Sequence, residues 1–557
     1  MIFTSRRSLF IGKLFSLFIF IGLLSGCIQA AGSTSQNPEK PGVAFTATPF
    51  QPQKPNIYLS KAVPESWVDL VSQNSNLNVV EDKNSANLIL SLSSSTSDLD
   101  ELVSFTRVFA VAAQFPTVYD AITLEELKGL WGGENATNFT KLLVSTETRN
   151  VFEELWGNPP SDLVLEVSPE DMLIEAWKDP TTLAIIPFEE ILPRWKVLKI
   201  DGLSPLDKPM NLSDYPLAVN YHLVGSKGSD DILSDLVTEI QKTLPATNRD
   251  ETKMTVLVMS GTTALVRTTA YKIEKRGPDY PISAIKEWFL TADIRHVSNE
   301  ISMNEDCPYP DPYDNKLIFC TKKEYLPVLQ GLGVNVVELT GNHLNDYGAE
   351  KLADTIAIYT QNGMSYFGGG LNIEDAQKPL KMTVNGNKIA FIGCNVAGPV
   401  NDFATSSKAG SAPCDNELYT SEIRQLKNEG FTVIATYQYT ELYVYMYSPF
   451  YQKEFHDAAN AGADIVQGSQ AHYPMGFEFI GNSLIHYGLG NFLFDQMDYP
   501  VVGTTREFID RHIIYDGKYI NTELLTALLT DYSKPVPMSE EQRFQFLTDI
   551  FAASKMR

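Results

Sequence analysis

Leu339-Thr340-Gly341-Asn342-His343-Leu344-Asn345-Asp346-Tyr347-Gly348 closes an apolar run that begins at Val334. Residues 334–339 are too few for a helix and rich in Val, so they read as a buried strand. The loop after them is polar and turn-forming, and it carries an amide, an imidazole and a carboxylate in Asn342, His343 and Asp346. A chain that ends a strand in such a loop is presenting side chains at a sheet edge.

The same layout recurs on both sides of this stretch. Residues 255–259 lead into Ser260-Gly261-Thr262, and 294–297 into Ser298-Asn299-Glu300. Residues 389–393 lead into Cys394-Asn395, and 433–436 into Tyr437-Gln438-Tyr439-Thr440-Glu441. Residues 465–466 lead into Gly468-Ser469-Gln470-Ala471-His472, and 484–487 into Gly488-Leu489-Gly490-Asn491. In α/β sheets the carboxyl edge of the strands is where ligands bind. A lone His after a strand is usually a loop residue, but recurrence at one edge marks a site.

Composition bounds the rest. The chain has 557 residues, 43% hydrophobic and 11% aromatic, which excludes a wholly disordered protein. Asp and Glu number 68 against 44 Lys and Arg, a net charge of −24 with no basic face, so nucleic acid is not an expected partner.

Three segments of this region resemble the CapA family of bacterial capsule or poly-γ-glutamate synthesis proteins. Residues 339–348 are like the family's A-N-N-H-x-x-D-x-G. Ala461-Gly462-Ala463-Asp464-Ile465-Val466-Gln467-Gly468-Ser469-Gln470-Ala471-His472 is like D-A-G-A-D-x-V-x-G-x-H-x-H. Ile485-His486-Tyr487-Gly488-Leu489-Gly490-Asn491-Phe492-Leu493-Phe494-Asp495 is like I-x-Y-S-L-G-N-F-x-F-D. The resemblance runs from about 254 to 515. It implies a four-layer αββα, calcineurin-like metallophosphoesterase fold over 253–535.

The resemblance also implies a site. Glu300 corresponds to the family's acid, Asn342 and His343 to its N-H pair, and His472 to the last His of H-x-H. Asn342, His343, Glu300 and His472 are thus the candidate metal ligands, with His343 and Asn342 the candidate catalytic pair. Divalent cations favour imidazole, carboxylate and amide oxygen on converging loops. Two such ions roughly 3.5–4 Å apart activate water and clamp a phosphoryl group. The implied cofactor is one or two Mn, Zn or Fe ions, or none, because the ligand set is depleted. Thr262 lies in the loop where the family has an opening Asp, Gln438 where it has a His, and Gln470 where it has the first His of H-x-H. Arg267 survives, Asn491 is the Asn of the last motif, and Glu441, Asp346 or Glu338 are the carboxylates available to fill in. His296 precedes the Glu300 loop, and His486 sits inside a strand as a packed residue.

The amino-terminal half reads differently. Arg6, Arg7 and Lys13 precede the apolar run 14–24, too short to span a hydrocarbon core of about 30 Å. That is a secretory signal peptide over 1–26. It ends in Leu24-Ser25-Gly26-Cys27, which resembles a lipobox and implies lipidation of Cys27. The expected location is the cell envelope, lipid-anchored and facing out of the cytoplasm. Residues 27–55, rich in Ser, Thr, Pro and Gln, form an expected tether. Four Cys remain, and in an exported chain disulfides are expected. Of three possible pairings the sequence-local one, Cys307 with Cys320 and Cys394 with Cys414, closes short loops and is favoured over free thiols.

From 56 to 245 short apolar runs alternate with helical patterns, an α/β domain. Residues 124–131 form an amphipathic helix with Thr123 as N-cap and Gly132-Gly133 as stop. Together with Leu183-Ala184-Ile185-Ile186-Pro187-Phe188, this region resembles type II periplasmic solute-binding domains of the phosphate-binding sort. The hydroxyl run Ser93-Ser94-Ser95-Thr96-Ser97 reads as a turn rather than an anion loop. Tyr437, Tyr439, Tyr443, Tyr445, Tyr447 and Tyr451 read as strand alternation or as the lining of a groove. Residues 536–557 hold a helix over 538–553 that docks on the core.

Three functions remain open: a CapA-type surface lipoprotein for capsule or poly-γ-glutamate assembly or retention with a degenerate metal site; a metal-dependent hydrolase with a rearranged site; and an anion- or solute-binding lipoprotein. The expected partners are the membrane, through the anchor, and a surface polymer or envelope biosynthesis proteins.

Overall fold

Strand Asp100–Gln114, fifteen residues long, organises the first sheet. Its residues 100–108 pair antiparallel with Ala218–Gly225. Its residues 109–114 pair antiparallel with Thr182–Pro187 and Trp195–Ile200. On one side of this spine Asn56–Leu59 runs parallel to Asn78–Val80 and Leu88–Ser91. On the other Lys141–Val144 runs parallel to Val164–Glu166 and Thr182–Pro187. Two half-sheets thus share one long strand, within the α/β domain that the alternating pattern implies. The computed structural model describes residues 54–94, 99–134, 138–160, 162–225, 231–498 and 501–556. The expected signal peptide, Cys27 and the tether up to 53 lie outside these residues, as do Ser95, Thr96 and Ser97.

Helix Leu124–Trp131 forms where its pattern predicts. Thr123 and Glu126 close a capping box, satisfying two amino-terminal N–H groups, and Gly132 ends the helix after Leu127, Leu130 and Trp131 are buried.

The second half contains two sheets face to face. The first takes Ser365–Phe367, Val336–Glu338, Ile294–Asn299, Met254–Thr263, Arg506–Tyr515, Lys518–Thr530 and Lys534–Pro537 in that spatial order, with Asn491–Leu493 beside Met254–Thr263. The second takes Leu380–Val384, Asn387–Asn395, Thr432–Gln438, Ile465–Ser469, Ser483–His486 and Phe477–Ile480. Alternation along each strand makes four layers. Leu257, Met259, Ile294 and Val336 meet Ile389, Phe391, Ile434 and Ile465 between the sheets. Val256, Val258, Val297 and Val337 point the other way, into a core with Ile273, Phe289, Leu352 and Ile356 of the helices over that sheet. Ile392, Val433, Val466 and Ile485 do the same against Ile423 and Phe455 of helices Asn416–Asn428 and Pro449–Ala461. This is the expected αββα arrangement.

The carboxy-terminal helix Glu540–Ala553 buries Phe546, Leu547, Ile550 and Phe551 against the inter-sheet core. It also ties the two halves together. Arg543 pairs with Asp120, and Phe115 packs edge-on to Phe477, Phe479 and Phe551. Asn521 Nδ2 donates to the Trp195 carbonyl at 2.7 Å across the same seam. Both disulfides take the sequence-local pairing, Cys307–Cys320 and Cys394–Cys414.

The tyrosine run is not one alternating strand. Tyr437 lies near the end of a strand and is buried, residues 440–447 are irregular, and Tyr451 belongs to helix Pro449–Ala461. Ladder pairing with Ile465–Ser469 stops at Gln438, and Ser448 with Pro449 then starts the helix, so the period-two pattern is never used as a strand.

Candidate functional site at the carboxyl edge of the double sheet

Parallel strands bring their carboxyl ends to one edge. Ile294–Asn299 delivers Glu300, Val336–Glu338 delivers Asn342 and His343, Thr432–Gln438 ends in Gln438, and Ile465–Ser469 leads to Gln470 and His472. Close approach at this edge requires glycine. A Cβ on Gly341 would fall 2.5 Å from the Glu300 Cα, and one on Gly261 would fall 2.0 Å from the Gly490 carbonyl oxygen.

Gln438 is the centre. Its Nε2 donates to Glu300 Oε1 at 3.1 Å and lies 3.3 Å from Asn342 Oδ1. Its Oε1 accepts from Ser469 Oγ at 2.8 Å. Glu300 and Gln438 are buried, so these bonds form away from bulk water. Ser469 Oγ also lies 3.1 Å from Glu338 Oε1, and Glu338 Oε2 is 3.2 Å from His296 Nε2. A polar column therefore descends from Glu300 into the inter-sheet core. Burial opposes the Glu338 charge, but the His296 bond and charge with the Thr340 hydroxyl outweigh it and hold this carboxyl below its usual range. His296 accordingly lies beneath the site rather than in it.

The two candidate histidines have separate partners. His343 Nδ1 meets Asp346 Oδ2 at 2.8 Å. Burial works against its charge, yet the Asp346 bond and the fields of Glu300, Asp346 and Asp402 raise its pKa above the ordinary value. With Nδ1 engaged, Nε2 is the atom left to act. His472 Nδ1 lies 2.7 Å from Asn491 Oδ1, and its Nε2 is 3.5 Å from Glu441 Oε1. Asn491 in turn donates to the His472 and Thr504 carbonyls, so it positions this ring.

Arg267 lies behind the site. It holds Asp495 through Nε and a terminal nitrogen, and its guanidinium is 5.0 Å from the Phe319 ring and 5.2 Å from Phe494. Phe319 packs on His343 at 4.6 Å and Phe494 stacks on His472 at 4.8 Å. Arg267 thus supports the surfaces that carry both rings. Thr262 is buried with an unpartnered hydroxyl, beside Asn491 in the strand register. Gln470 holds a left-handed backbone (φ 67°) with Oε1 buried and unpartnered, a strained conformation for a residue with a side chain. His486 is packed as expected, its Nδ1 2.6 Å from Asp510 Oδ2.

Asp402, Phe319 and the Asp495 partnership were not legible from spacing. Asp402 arrives on the loop after Asn387–Asn395 and accepts from the Asn345 N–H at 2.7 Å. Burial, with Asp346 nearby, pushes its carboxyl up to about 6. Asp495 closes the third family motif, which is the one signal that pointed to it.

Residues 256–496 match the family described as bacterial capsule synthesis protein PGA_cap. This region is similar to the CapA family. The chain is 27% identical over 273 residues to the capsule biosynthesis protein CapA of Bacillus anthracis, covering 48% of this chain and 66% of that protein. It is 28% identical over 224 residues to the PGA biosynthesis protein CapA of Bacillus subtilis (strain 168), covering 40% and 59%. The chain therefore spans under two thirds of these CapA relatives. Among solved structures, an ABC-type phosphate transport receptor from Vibrio cholerae is 14% identical, covering 34% of this chain and 93% of its own, with a TM-score of 0.28. The NAD nucleotidase of Haemophilus influenzae is 12% identical, covering 55% and 57%, with a TM-score of 0.31.

A metallophosphoesterase-like edge implies a divalent metal, and the donor set here does not fit one as arranged. Gln438 turns an N–H, not an oxygen, towards the Glu300 carboxylate and the Asn342 carbonyl. Glu300 is the candidate ligand carboxylate, and its Oε1 is already bonded. Among the described residues no group of three or more His, Cys, Asp or Glu is placed to hold a metal ion.

Proposed function

We propose that this is an envelope protein of the CapA type that assembles or retains a surface polymer, poly-γ-glutamate or a capsular polysaccharide, through a hydrogen-bonding site in which amides stand where metal ligands would be. The Gln438 bridge from Glu300 to Asn342 carries the reading. Asn342, half-buried at the edge, and the unpartnered Gln470 Oε1 offer neutral donors and acceptors suited to amide or hydroxyl groups of a polymer, while the buried Gln438 holds Asn342 in place. The family match and the capsule and PGA biosynthesis relatives support the polymer role. Lipidation at Cys27 would anchor the protein to the membrane outside the cytoplasm, beside envelope biosynthesis proteins. Among the described residues no helix is long and apolar enough to cross a membrane.

A hydrolytic reading rests on one observation, the Asp346–His343 pair. Asp346 fixes the ring so that Nε2 is the free nitrogen, and the raised pKa keeps a proton there for a leaving group. Phosphoester and acyl bonds are the substrate classes.

The test uses the full chain purified without chelator. Elemental analysis is paired with calorimetric titration of poly-γ-glutamate and of an acidic polysaccharide, beside Gln438→Ala and His343→Ala/His472→Ala. Metal-free protein that binds polymer and loses it in Gln438→Ala supports the first reading. About one or two equivalents of metal, lost in the double variant, would replace it with the hydrolase. Neither polymer nor metal binding, in folded protein, sinks both.

A further inference from the structure

The junction between the two half-sheets of the amino-terminal sheet carries its own anion. Arg107 lies where strand Asp100–Gln114 passes from one half-sheet to the other, and it is 6% exposed. One of its terminal nitrogens pairs with Glu147 Oε1, and the other lies 2.9 Å from Glu189 Oε1. Glu147 belongs to the first turn of helix Thr146–Trp156, which follows a strand of one half-sheet. Its second oxygen, Oε2, accepts from the Glu65 N–H at 3.3 Å. Glu65 opens helix Glu65–Ser72, which follows a strand of the other half-sheet.

Helix Glu65–Ser72 has a reason to need this. Its N-cap residue is Pro64, which has no side-chain acceptor, so the first N–H groups have no local side-chain cap. A carboxylate at a helix amino terminus is favoured by the helix dipole as well as by the hydrogen bond. Glu147 lies at two such termini at once, its own helix and the facing one, with the Arg107 guanidinium beneath. Ser60, just ahead of Pro64 and 9% exposed, has a hydroxyl with no partner. A cation, a helix amino terminus and a free hydroxyl are the elements of an anion site.

We propose that this junction is an anion site whose ligand is the protein's own Glu147, which latches the two half-sheets and keeps free phosphate-like anions out. The remaining charge agrees. Glu189 holds the other face of Arg107. Burial, with Glu189, Glu147 and Glu170 nearby, pushes the Glu190 carboxyl up to about 7. One guanidinium among these carboxylates leaves no surplus positive charge for a second anion. None of these residues takes part in the carboxyl-edge site, so the latch stands or falls apart from the polymer role.

Inorganic phosphate is the probe, titrated calorimetrically into the full chain and into Glu147→Gln and Glu147→Ala, each checked for folding by circular dichroism. The wild type is expected to give no binding isotherm. Removing the internal carboxylate is expected to create phosphate binding at least about tenfold tighter than the wild-type limit. Glu147→Gln keeps the shape and carries the test if Glu147→Ala does not fold. Wild-type protein that takes phosphate as tightly as the variants overturns the proposal. So do folded variants that take none even with Glu189→Gln added to free the other face of Arg107, because the junction is then no anion site.

Discussion

Gln438 Nε2 and Glu300 Oε1 are 3.1 Å apart, with the amide donating. That hydrogen bond is made to a carboxylate that is buried away from bulk water. Gln438→Leu should therefore destabilise the protein by about 1–3 kcal/mol, because Glu300 and Ser469 each lose a partner. Urea unfolding measures it. Glu300→Gln added to Gln438→Leu should recover part of the loss, since an uncharged amide is cheaper to leave unpaired.

Metal affinity should be recoverable by substitution. Thr262→Asp/Gln438→His/Gln470→His returns a carboxylate and two imidazoles to an edge that already holds Glu300, Asn342 and His472. The expected outcome is about one equivalent of Zn or Mn by elemental analysis, against none in the wild type. A triple variant that stays folded and metal-free would show that the edge is too distorted, with Gln470 in its left-handed conformation, to converge on an ion.

The disulfides should matter for stability. Cys394–Cys414 spans 20 residues of chain and Cys307–Cys320 spans 13. Loops of this length stabilise by about 3 kcal/mol each in the chain-entropy account. Cys394→Ser/Cys414→Ser should lower the thermal midpoint and loosen the loop that carries Asp402 onto Asn345. Calorimetry of this variant beside Cys307→Ser/Cys320→Ser separates the two bridges.

Helix Glu540–Ala553 should be indispensable for the fold. Phe551 is fully buried and touches Phe115 and Phe477. Phe551→Ala should cost about 3–5 kcal/mol through lost burial and a cavity. Phe544→Ala, at a position 44% exposed, should cost far less, and parallel denaturation curves compare the two.

Acid should unfold the inter-sheet core. Burial, with His486 and His296 nearby and despite Asp510, lowers His512 to about 4. An unfolded His titrates near about 6.5, so the unfolded chain takes up the proton first as pH falls. The stabilisation from neutral His512 is whole above about 6.5 and is lost progressively down to about 4, roughly 3 kcal/mol in all. His343 has the opposite sign. Its raised pKa stabilises the fold below the unfolded value and is lost as pH rises through the folded one. His512→Asn should flatten the acid slope of the urea midpoint, and His343→Asn the alkaline one.

Much of this was written in the chain. Period and punctuation placed the strands that end at Glu300, Asn342, Gln438 and His472, because each apolar run stops at a polar turn, and that local chemistry is the same in any tertiary setting. The helix over 124–131 and the docked carboxy-terminal helix followed from capping residues and helical spacing, and the local disulfide pairing from short loops. The motif order carried the resemblance to the CapA family, and the departures from its Asp and His positions were visible as Thr262, Gln438 and Gln470.

What those substitutions do was decided by packing. An amide has two ends, and only the facing groups choose which end turns inward. Ser469 takes the Gln438 oxygen, so its nitrogen meets Glu300 and Asn342. The partnerships of His343 with Asp346, His472 with Asn491 and Arg267 with Asp495 likewise depend on loops meeting at one edge. Glu147 reads in the sequence as an ordinary acidic residue of a helix's first turn. Only the folding of two half-sheets about a shared strand brings it to Arg107 and to the uncapped helix at Glu65, since a hydrogen bond spanning 82 residues of chain is set by the tertiary fold and not by any local preference.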